Sequence, residues 1–426
     1  MDTDVLIAGS GCAGLYLAIN LPENKRVTIV TKSQCDKSDS FLAQGGICML
    51  KDPADFDSFF EDTLKAGHYE NDKKSVEIMI NSSPEVLNDL LSYGVDFNRD
   101  ENGELTYTKE GAHSNNRILF HKDITGKEMT SKLLKKAQSL ANITVLEHTE
   151  LLDIIEKDNR CFGGIVRKSD GEIEVIKAAH TVFATGGIGG LFSHSTNFNH
   201  LTGDALAISL KHGIALRDAD YVQIHPTTLY TKEKNERSFL ISESVRGEGA
   251  KLYGKNMKRF ANELLPRDLL TQEIYKQIER DGSEFVWEDL RTIPEKEVRE
   301  HFPNIVEHCR EAGYDVFKEC IPVVPAQHYF MGGVKIDYKG KTSMDCLYAV
   351  GETACNGVHG KNRLASNSLL ESLVFAKKAA LDISADNRTA ENLLDEPDLK
   401  EYDDIKTLKE NYAKLVLDEI KRLENK

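Results

Sequence analysis

Val5-Leu6-Ile7-Ala8-Gly9-Ser10-Gly11-Cys12-Ala13-Gly14-Leu15-Tyr16-Leu17-Ala18-Ile19-Asn20 is the stretch that decides the fold. A short apolar run reads as a buried strand, and the residues after Gly14 through Asn20 read as a helix. After Pro22 and a polar turn, the β-branched run Val27-Thr28-Ile29-Val30 reads as a second buried strand. Strand, glycine turn, helix and strand together open a doubly wound parallel sheet. Gly9-x-Gly11-x-x-Gly14 therefore stands where a dinucleotide cradle needs it. Gly9 permits the tight turn, Gly11 lets backbone approach a pyrophosphate, and Gly14 lets the helix pack on the strand. The helix N-terminus, with its unbonded N–H groups, then stabilises the phosphates. Gly9, Ser10, Gly11, Cys12, Ala13 and Gly14 are the expected contacts.

A carboxylate is expected at the end of the second strand in an NAD site, but Val30 is followed by Thr31-Lys32-Ser33. That departure fits an FAD site with Lys32 and Ser33 near the adenosine. The block Ser40-Phe41-Leu42-Ala43-Gln44-Gly45-Gly46-Ile47 follows, and its paired glycines would let backbone touch a flat ring. Ser40, Gln44, Gly45 and Gly46 join the expected cofactor contacts. Two later segments, Thr181-Val182-Phe183-Ala184 and Leu347-Tyr348-Ala349-Val350, also read as strands leading into glycine turns. If they share the first sheet, the nucleotide domain is interrupted by an insertion.

The whole chain of 426 residues is long enough for two or three domains. The segment from Thr227 to Cys320 is charged and helix-rich, carries Trp287, and reads as a second domain covering the first. The expected architecture is α/β: a Rossmann-like FAD-binding domain of residues 1–225 and 331–385, a smaller α+β capping domain of residues 226–330, and a short helical tail of residues 386–426. In the tail, Pro397 is expected to open a helix capped by Asp395 or Glu396, with Leu408, Tyr412, Leu415 and Leu423 on one face. A net charge of -15 argues against a nucleic-acid partner. The eight cysteines are scattered without CxxC spacing, so reduced thiols and no metal site are expected. No apolar run reaches the length of a membrane span and no basic leader precedes the first strand. A cytoplasmic location is the expectation.

Further blocks carry a resemblance. They are Thr202-Gly203-Asp204, Gln223-Ile224-His225-Pro226-Thr227, Ser242-Glu243-Ser244-Val245-Arg246-Gly247-Glu248-Gly249, Pro266-Arg267-Asp268, His328-Tyr329-Phe330-Met331-Gly332-Gly333 and His359-Gly360-Lys361-Asn362-Arg363. With the Ala43–Ile47 block, and in this order over about residues 1–385, the chain resembles the fumarate reductase/succinate dehydrogenase flavoproteins. Ile321-Pro322-Val323-Val324-Pro325-Ala326 and Arg363-Leu364-Ala365-Ser366-Asn367-Ser368-Leu369-Leu370-Glu371 are similar to the branch that oxidises L-aspartate. So is Lys109-Glu110-Gly111-Ala112-His113-Ser114-Asn115-Asn116-Arg117. Gln327 and the Phe330-Met331 pair are nearer to the reductase wording, and the chain has about one helix where members of that branch continue into a helical C-terminal domain.

The resemblance implies FAD oxidation of L-aspartate to iminoaspartate, with reoxidation by oxygen or fumarate, feeding quinolinate and NAD formation. Handover of the product to quinolinate synthase belongs to the same expectation, and fumarate or succinate would bind the same site. The alternatives are a soluble fumarate reductase and a degenerate flavin-binding subunit. Asp39 and Ser40 stand where succinate dehydrogenases carry a flavin-linking histidine, so noncovalent FAD is expected. A four-carbon dianion in a closed cleft needs donors for both carboxylates. Arg363 and His328 are implied for one, His225 and Ser242 for the other, with Gln223 beside them. Arg267 is implied as the proton-transfer residue, with Glu243 or Glu248 as its relay. Glu110 would hold the substrate ammonium. Asp204, Glu352, Ser368 and Leu369 are implied FAD contacts, the last two at a helix end that would favour an anionic reduced flavin.

Overall fold

The computed structural model describes residues 1–232, 237–390 and 397–425. Its main sheet is seven-stranded. Val27–Val30 pairs in parallel with Asp2–Ala8 on one side and with Ile143–Leu146 on the other. Asp2–Ala8 pairs in parallel with the long strand Ile173–Phe183 along Lys177 to Phe183. On the far edge of that strand, Leu347–Ala349 pairs in parallel with Thr181 to Phe183. Strands far apart in the chain thus share one sheet, as the two glycine-turn segments suggested. An antiparallel pair, Arg160–Arg167 and Glu150–Lys157, continues from the other half of the long strand.

Val5, Leu6, Ile7, Val27, Ile29 and Val30 are all essentially inaccessible. Parallel strands covered on both faces read as continuous apolar runs for this reason. The helices Cys12–Ile19 and Asn367–Ser384 pack on each other over one face.

The sheet's residues belong to a first hydrophobic core. A second core gathers Leu229, Ile241, Leu252, Leu270, Ile274, Val286, Ile305 and Val323. It lies on an antiparallel sheet ordered Val222–Leu229, Ile321–Phe330, Val286–Asp289, Lys251–Tyr253, with the helix Arg267–Asp281 against it. Val222–Leu229 runs straight through residues 225 and 226, so no loop marks that domain boundary.

The tail differs from its expectation. Its long helix is Ile405–Glu424, capped by the Asp404 side chain, which accepts from the Thr407 amide at 3.1 Å. Pro397 lies before a short 3-10 turn, Leu399–Tyr402, and Asp395 and Glu396 lie outside the described residues. The buried row is Leu408, Tyr412, Val416 and Ile420, whereas Leu415 is 38% exposed and Leu423 half-buried. Steps of four residues keep side chains on one face, and they leave Leu415 on the flank. The Tyr412 hydroxyl donates to the Leu152 carbonyl at 3.0 Å, tying this helix to the main sheet. Among the described residues no helix is long and apolar enough to cross a membrane. All eight cysteines are free thiols and buried.

Candidate active site

One cavity, partly open to solvent, runs from the glycine turn at Gly9 to the arginines Arg267 and Arg363. The lining joins a glycine turn at one end to two buried arginines at the other, so this space suits a dinucleotide with a small substrate beside it.

At the first end, Gly9 has φ 121, and a Cβ there would lie 2.0 Å from the Ala184 carbonyl oxygen. Only glycine fits, which lets the turn press against the neighbouring strand. The helix Cys12–Ile19 has no acidic residue in its first turn, and the Cys12 amide donates to Ser40 Oγ at 2.9 Å. Gly9, Ser10, Gly11, Cys12 and Ala13 line the cavity. Gly14 does not; it packs under the turn, where a Cβ would meet the Gly9 carbonyl oxygen at 2.3 Å. Lys32 and Asp204 both line the cavity but form an ion pair with each other. The Lys32 ammonium also lies 3.4 Å from Glu150 and donates to the His200 carbonyl at 2.8 Å.

The middle of the cavity is lined by Ser40, Gln44, Gly45, Gly46, Asp39, Glu352, Ser368 and Leu369. Burial, with Asp39 nearby, pushes the Glu352 carboxyl up to about 8; one of its oxygens accepts from the Phe330 amide at 2.9 Å. Burial pushes Asp39 up to about 7. Asp39 Oδ2 and Gln44 Oε1 are buried without a hydrogen-bond partner. Orphaned acceptors of this kind call for a ligand with hydroxyl or N–H donors, and a ribityl chain and a flavin edge supply both. The glycine turn, the open helix end and these acceptors together fit FAD. Ser368 and Leu369 lie in the first turn of the helix Asn367–Ser384, whose positive end therefore meets the cavity.

At the far end, the pairing of Val222–Leu229 with Ile321–Phe330 sets His225 and His328 side by side, ring centroids 5.1 Å apart. Both are pulled well below the ordinary histidine range by burial and by Arg267. They are neutral, and each can offer an N–H to a carboxylate. His328 Nδ1 bonds to Thr196 Oγ1 at 2.7 Å. His225 Nδ1 is held by the backbone of Thr227, and its Nε2 has no partner.

Arg363 lies over the Tyr329 ring at 4.4 Å and donates to Ser368 Oγ at 2.6 Å. Burial, then the charge of Arg267, lowers its pKa to about 10, so it remains a cation near neutral pH. Arg267 donates through Nε to Glu243 at 2.6 Å. Burial alone would raise Glu243, but Arg267 and Arg246 hold it below the usual carboxylate range. Glu248 is paired with His301 at 2.9 Å instead and does not reach Arg267. Gln223 does not line the cavity. Its Oε1 accepts from Arg267 Nη1 at 2.8 Å and Arg363 Nε at 3.2 Å, and so fixes both guanidiniums from behind.

Glu110 is buried in the wall of the same cavity. Its carboxylate accepts from Ser244 Oγ at 2.7 Å and from Ser366 Oγ at 2.6 Å. A Cβ on Gly45 would lie 2.8 Å from Glu110 Oε1, so this carboxylate sits beside the glycine pair. Burial and the neighbouring Glu243 raise its pKa. Ser242 caps the short helix Glu243–Gly247 and lines the same space.

Ser244, Ser366, Thr196, Asn197 and Arg237 also belong to this wall or its support, and sequence reading did not assign them. Ser244 and Ser366 stood inside quoted blocks. Thr196 and Asn197 follow an irregular loop with no periodic signal. Gln327, a departure from the oxidase wording, does not line the cavity; its side chain accepts from Ser195 Oγ at 2.6 Å.

The family model described as FAD binding domain matches residues 4–369. The chain is 48% identical to an L-aspartate oxidase of Clostridium perfringens, over 99% of this chain and 94% of that protein. It is 46% identical to an L-aspartate oxidase of Clostridium acetobutylicum, over 90% of this chain and 88% of that one. Among solved structures, a variant of the FrdA chain of E. coli quinol fumarate reductase superposes with a TM-score of 0.85 at 30% identity, covering 99% of this chain and 75% of that one. The dinucleotide cradle, the two-arginine pocket and these likenesses agree: the chain belongs to the L-aspartate oxidase family, a branch of the fumarate reductase/succinate dehydrogenase flavoproteins.

Proposed function

We propose that this protein is an FAD-dependent oxidoreductase that oxidises L-aspartate to iminoaspartate. The observation that carries the reading is the meeting, in one cavity, of a carboxylate at Glu110 with the donors Arg363, His328, His225 and Ser242. That set complements a molecule with two carboxylates and one ammonium group.

When bound, FAD supplies the two-electron acceptor for the hydrogen on the substrate's α-carbon. Arg363 and His328 hold one carboxylate; His225, through its unpartnered Nε2, and Ser242 hold the other. Glu110 holds the ammonium and accepts its proton, which frees the nitrogen lone pair to form the C=N bond. A guanidinium stays protonated in proteins, and Arg267 is clamped on Glu243. In this direction its part is electrostatic, as a fixed cation near the carboxylates. For fumarate as an acceptor, Arg267 gives a proton to the substrate carbon and regains one through Glu243, so the guanidinium is charged before and after the step.

Oxygen or fumarate is the proposed electron acceptor, quinolinate formation the destination of the product with handover to quinolinate synthase, and the cytoplasm the location. The separation of residues 226–330 from residues 1–225 with 331–385 is proposed on the two separate cores, and residues 386–426 are proposed as a tail whose buried row packs into the first of them. The reductase wording at Gln327 falls on a residue outside the cavity, which leaves the substrate-facing set intact.

The test is anaerobic mixing with L-aspartate, followed by admission of oxygen or fumarate. Aspartate should bleach the flavin absorbance, and either acceptor should restore it. Flavin that ignores aspartate but passes electrons from a chemical reductant to fumarate would establish the reductase instead. A related outcome concerns the cofactor linkage. Asp39 and Ser40 offer no imidazole, so acid precipitation should release all FAD into the supernatant. Flavin retained on the pellet would reveal a covalent bond and overturn that expectation.

A further inference from the structure

Glu110, His113 and Arg117 lie on one irregular segment between the short strands Tyr107–Thr108 and Ile118–Leu119. Nothing in its local sequence explains how such a segment holds a carboxylate at a fixed point. Long-range contacts do. Arg117 is fully buried, and its guanidinium is bidentate on Asp55, at 2.9 and 3.1 Å. It also donates to Asp62 at 2.6 Å and to Ser58 Oγ at 2.9 Å. Ser58 and Asp62 belong to the helix Phe56–Ala66, so the segment's end is bolted to that helix.

A further bond of Arg117 sets a tautomer. Its Nη1 lies 3.1 Å from His113 Nδ1. Arginine can only donate, so Nδ1 accepts and the imidazole proton is on Nε2. Nε2 then donates to the Ala365 carbonyl at 3.0 Å. Burial and Arg117 push the His113 pKa down to about 4, consistent with a neutral ring at working pH. Ala365 lies between Arg363 and Ser366, and the Ser366 hydroxyl bonds Glu110. Ala112 and Ser366, one on each side of this contact, hold left-handed φ values of 65 and 61. Such conformations persist where surrounding contacts over-determine them.

We propose that His113 and Arg117 are positioning residues that lock the Glu110 segment onto the Arg363–Ser366 turn. They thereby set the spacing between the group that receives the ammonium and the group that receives a carboxylate, and favour an amino dicarboxylate over one without the amine. Arg363 has anchors of its own in Gln223, Ser368 and the Tyr329 ring. Breaking the His113 link therefore releases Glu110 and leaves Arg363 in place. The inference rests on the reading of Glu110 given above.

The experiment uses flavin-loaded full-length His113→Leu, His113→Gln and Glu110→Gln. A misplacement of about 1 Å can cost about 10²-fold in rate. His113→Leu should lower kcat/KM for aspartate by about 10–100-fold, in the range such a misplacement allows. Fumarate reduction and succinate binding should change by less than about threefold, since neither ligand has an amine to be aligned. His113→Gln, which can still donate to Ala365, should recover most of the loss. Equal loss of both reactions, or full aspartate oxidation in His113→Leu, overturns the positioning role. If His113→Leu does not retain flavin, Arg117→Lys decides by the same ratio of the two reactions: an unchanged ratio there overturns the proposal. Full aspartate oxidation by Glu110→Gln refutes the reading of Glu110 itself, while a defect there with none in the His113 variants refutes only the positioning.

Discussion

Glu110→Gln should lower aspartate oxidation by about 10²–10⁴-fold, the range usual for losing one acid–base group. The substitution keeps the shape of a side chain that sits between two serine hydroxyls, Ser244 at 2.7 Å and Ser366 at 2.6 Å. Serine hydroxyls can donate or accept, so the amide is still bonded and the loss is one of charge. Aspartate brings an ammonium that must be held and must give up a proton before the imine can form. Fumarate brings none, and its reduction with an artificial electron donor should change by less than about tenfold, well below the cost of a lost acid–base group. Equal damage to both reactions would make Glu110 structural.

The same residue predicts a pH dependence. Burial, with Glu243 beside it, raises the Glu110 pKa, while the two serines and Arg267 oppose the rise. The charged form is the one that receives the ammonium, so aspartate oxidation should fall as pH drops through this raised value. That acidic limb should be absent from the residual activity of Glu110→Gln.

Arg363→Leu should raise the KM for aspartate and weaken succinate inhibition while FAD stays bound. Removing one partner of a buried, hydrogen-bonded charge pair costs about 2–5 kcal/mol. The geometry supports the upper part of that range. Arg363 is buried, stacked on Tyr329 and aimed by Gln223 and Ser368, so it loses little freedom when a carboxylate arrives. Arg267 cannot take over, because Glu243 at 2.6 Å and Gln223 at 2.8 Å hold its guanidinium in place. Succinate binding as tight as in the unaltered protein would remove Arg363 from the carboxylate site.

Several features were legible in the residues themselves. The apolar runs at Val5–Ala8 and Val27–Val30, split by the glycine turn, announce a covered parallel sheet, because strands buried on both faces must be apolar throughout. Gly9 was legible from its place in the Gly-x-Gly-x-x-Gly turn, whereas the Ala184 carbonyl 2.0 Å from where its Cβ would be is a tertiary contact. The tail helix was legible as a helix but not in its bounds. Asp404 caps it, and the packing of Val416 and Ile420 sets its buried face.

What only the tertiary structure decided lies in pairs distant along the chain. Gln223 holds Arg267 and Arg363 through one oxygen, Lys32 is matched with Asp204, and Arg117 reaches back to Asp55 and Asp62. None of these pairs leaves a period or a spacing in the sequence, because neither helix nor strand geometry relates residues so far apart. The sequence alone determined the sheet, the cradle and the kinds of side chain the site contains. Folding decided which of them point into the cavity and which stand behind it, as Gly14 and Gln223 do. The reason is physical: a buried charge must find its partner wherever the packed chain brings one.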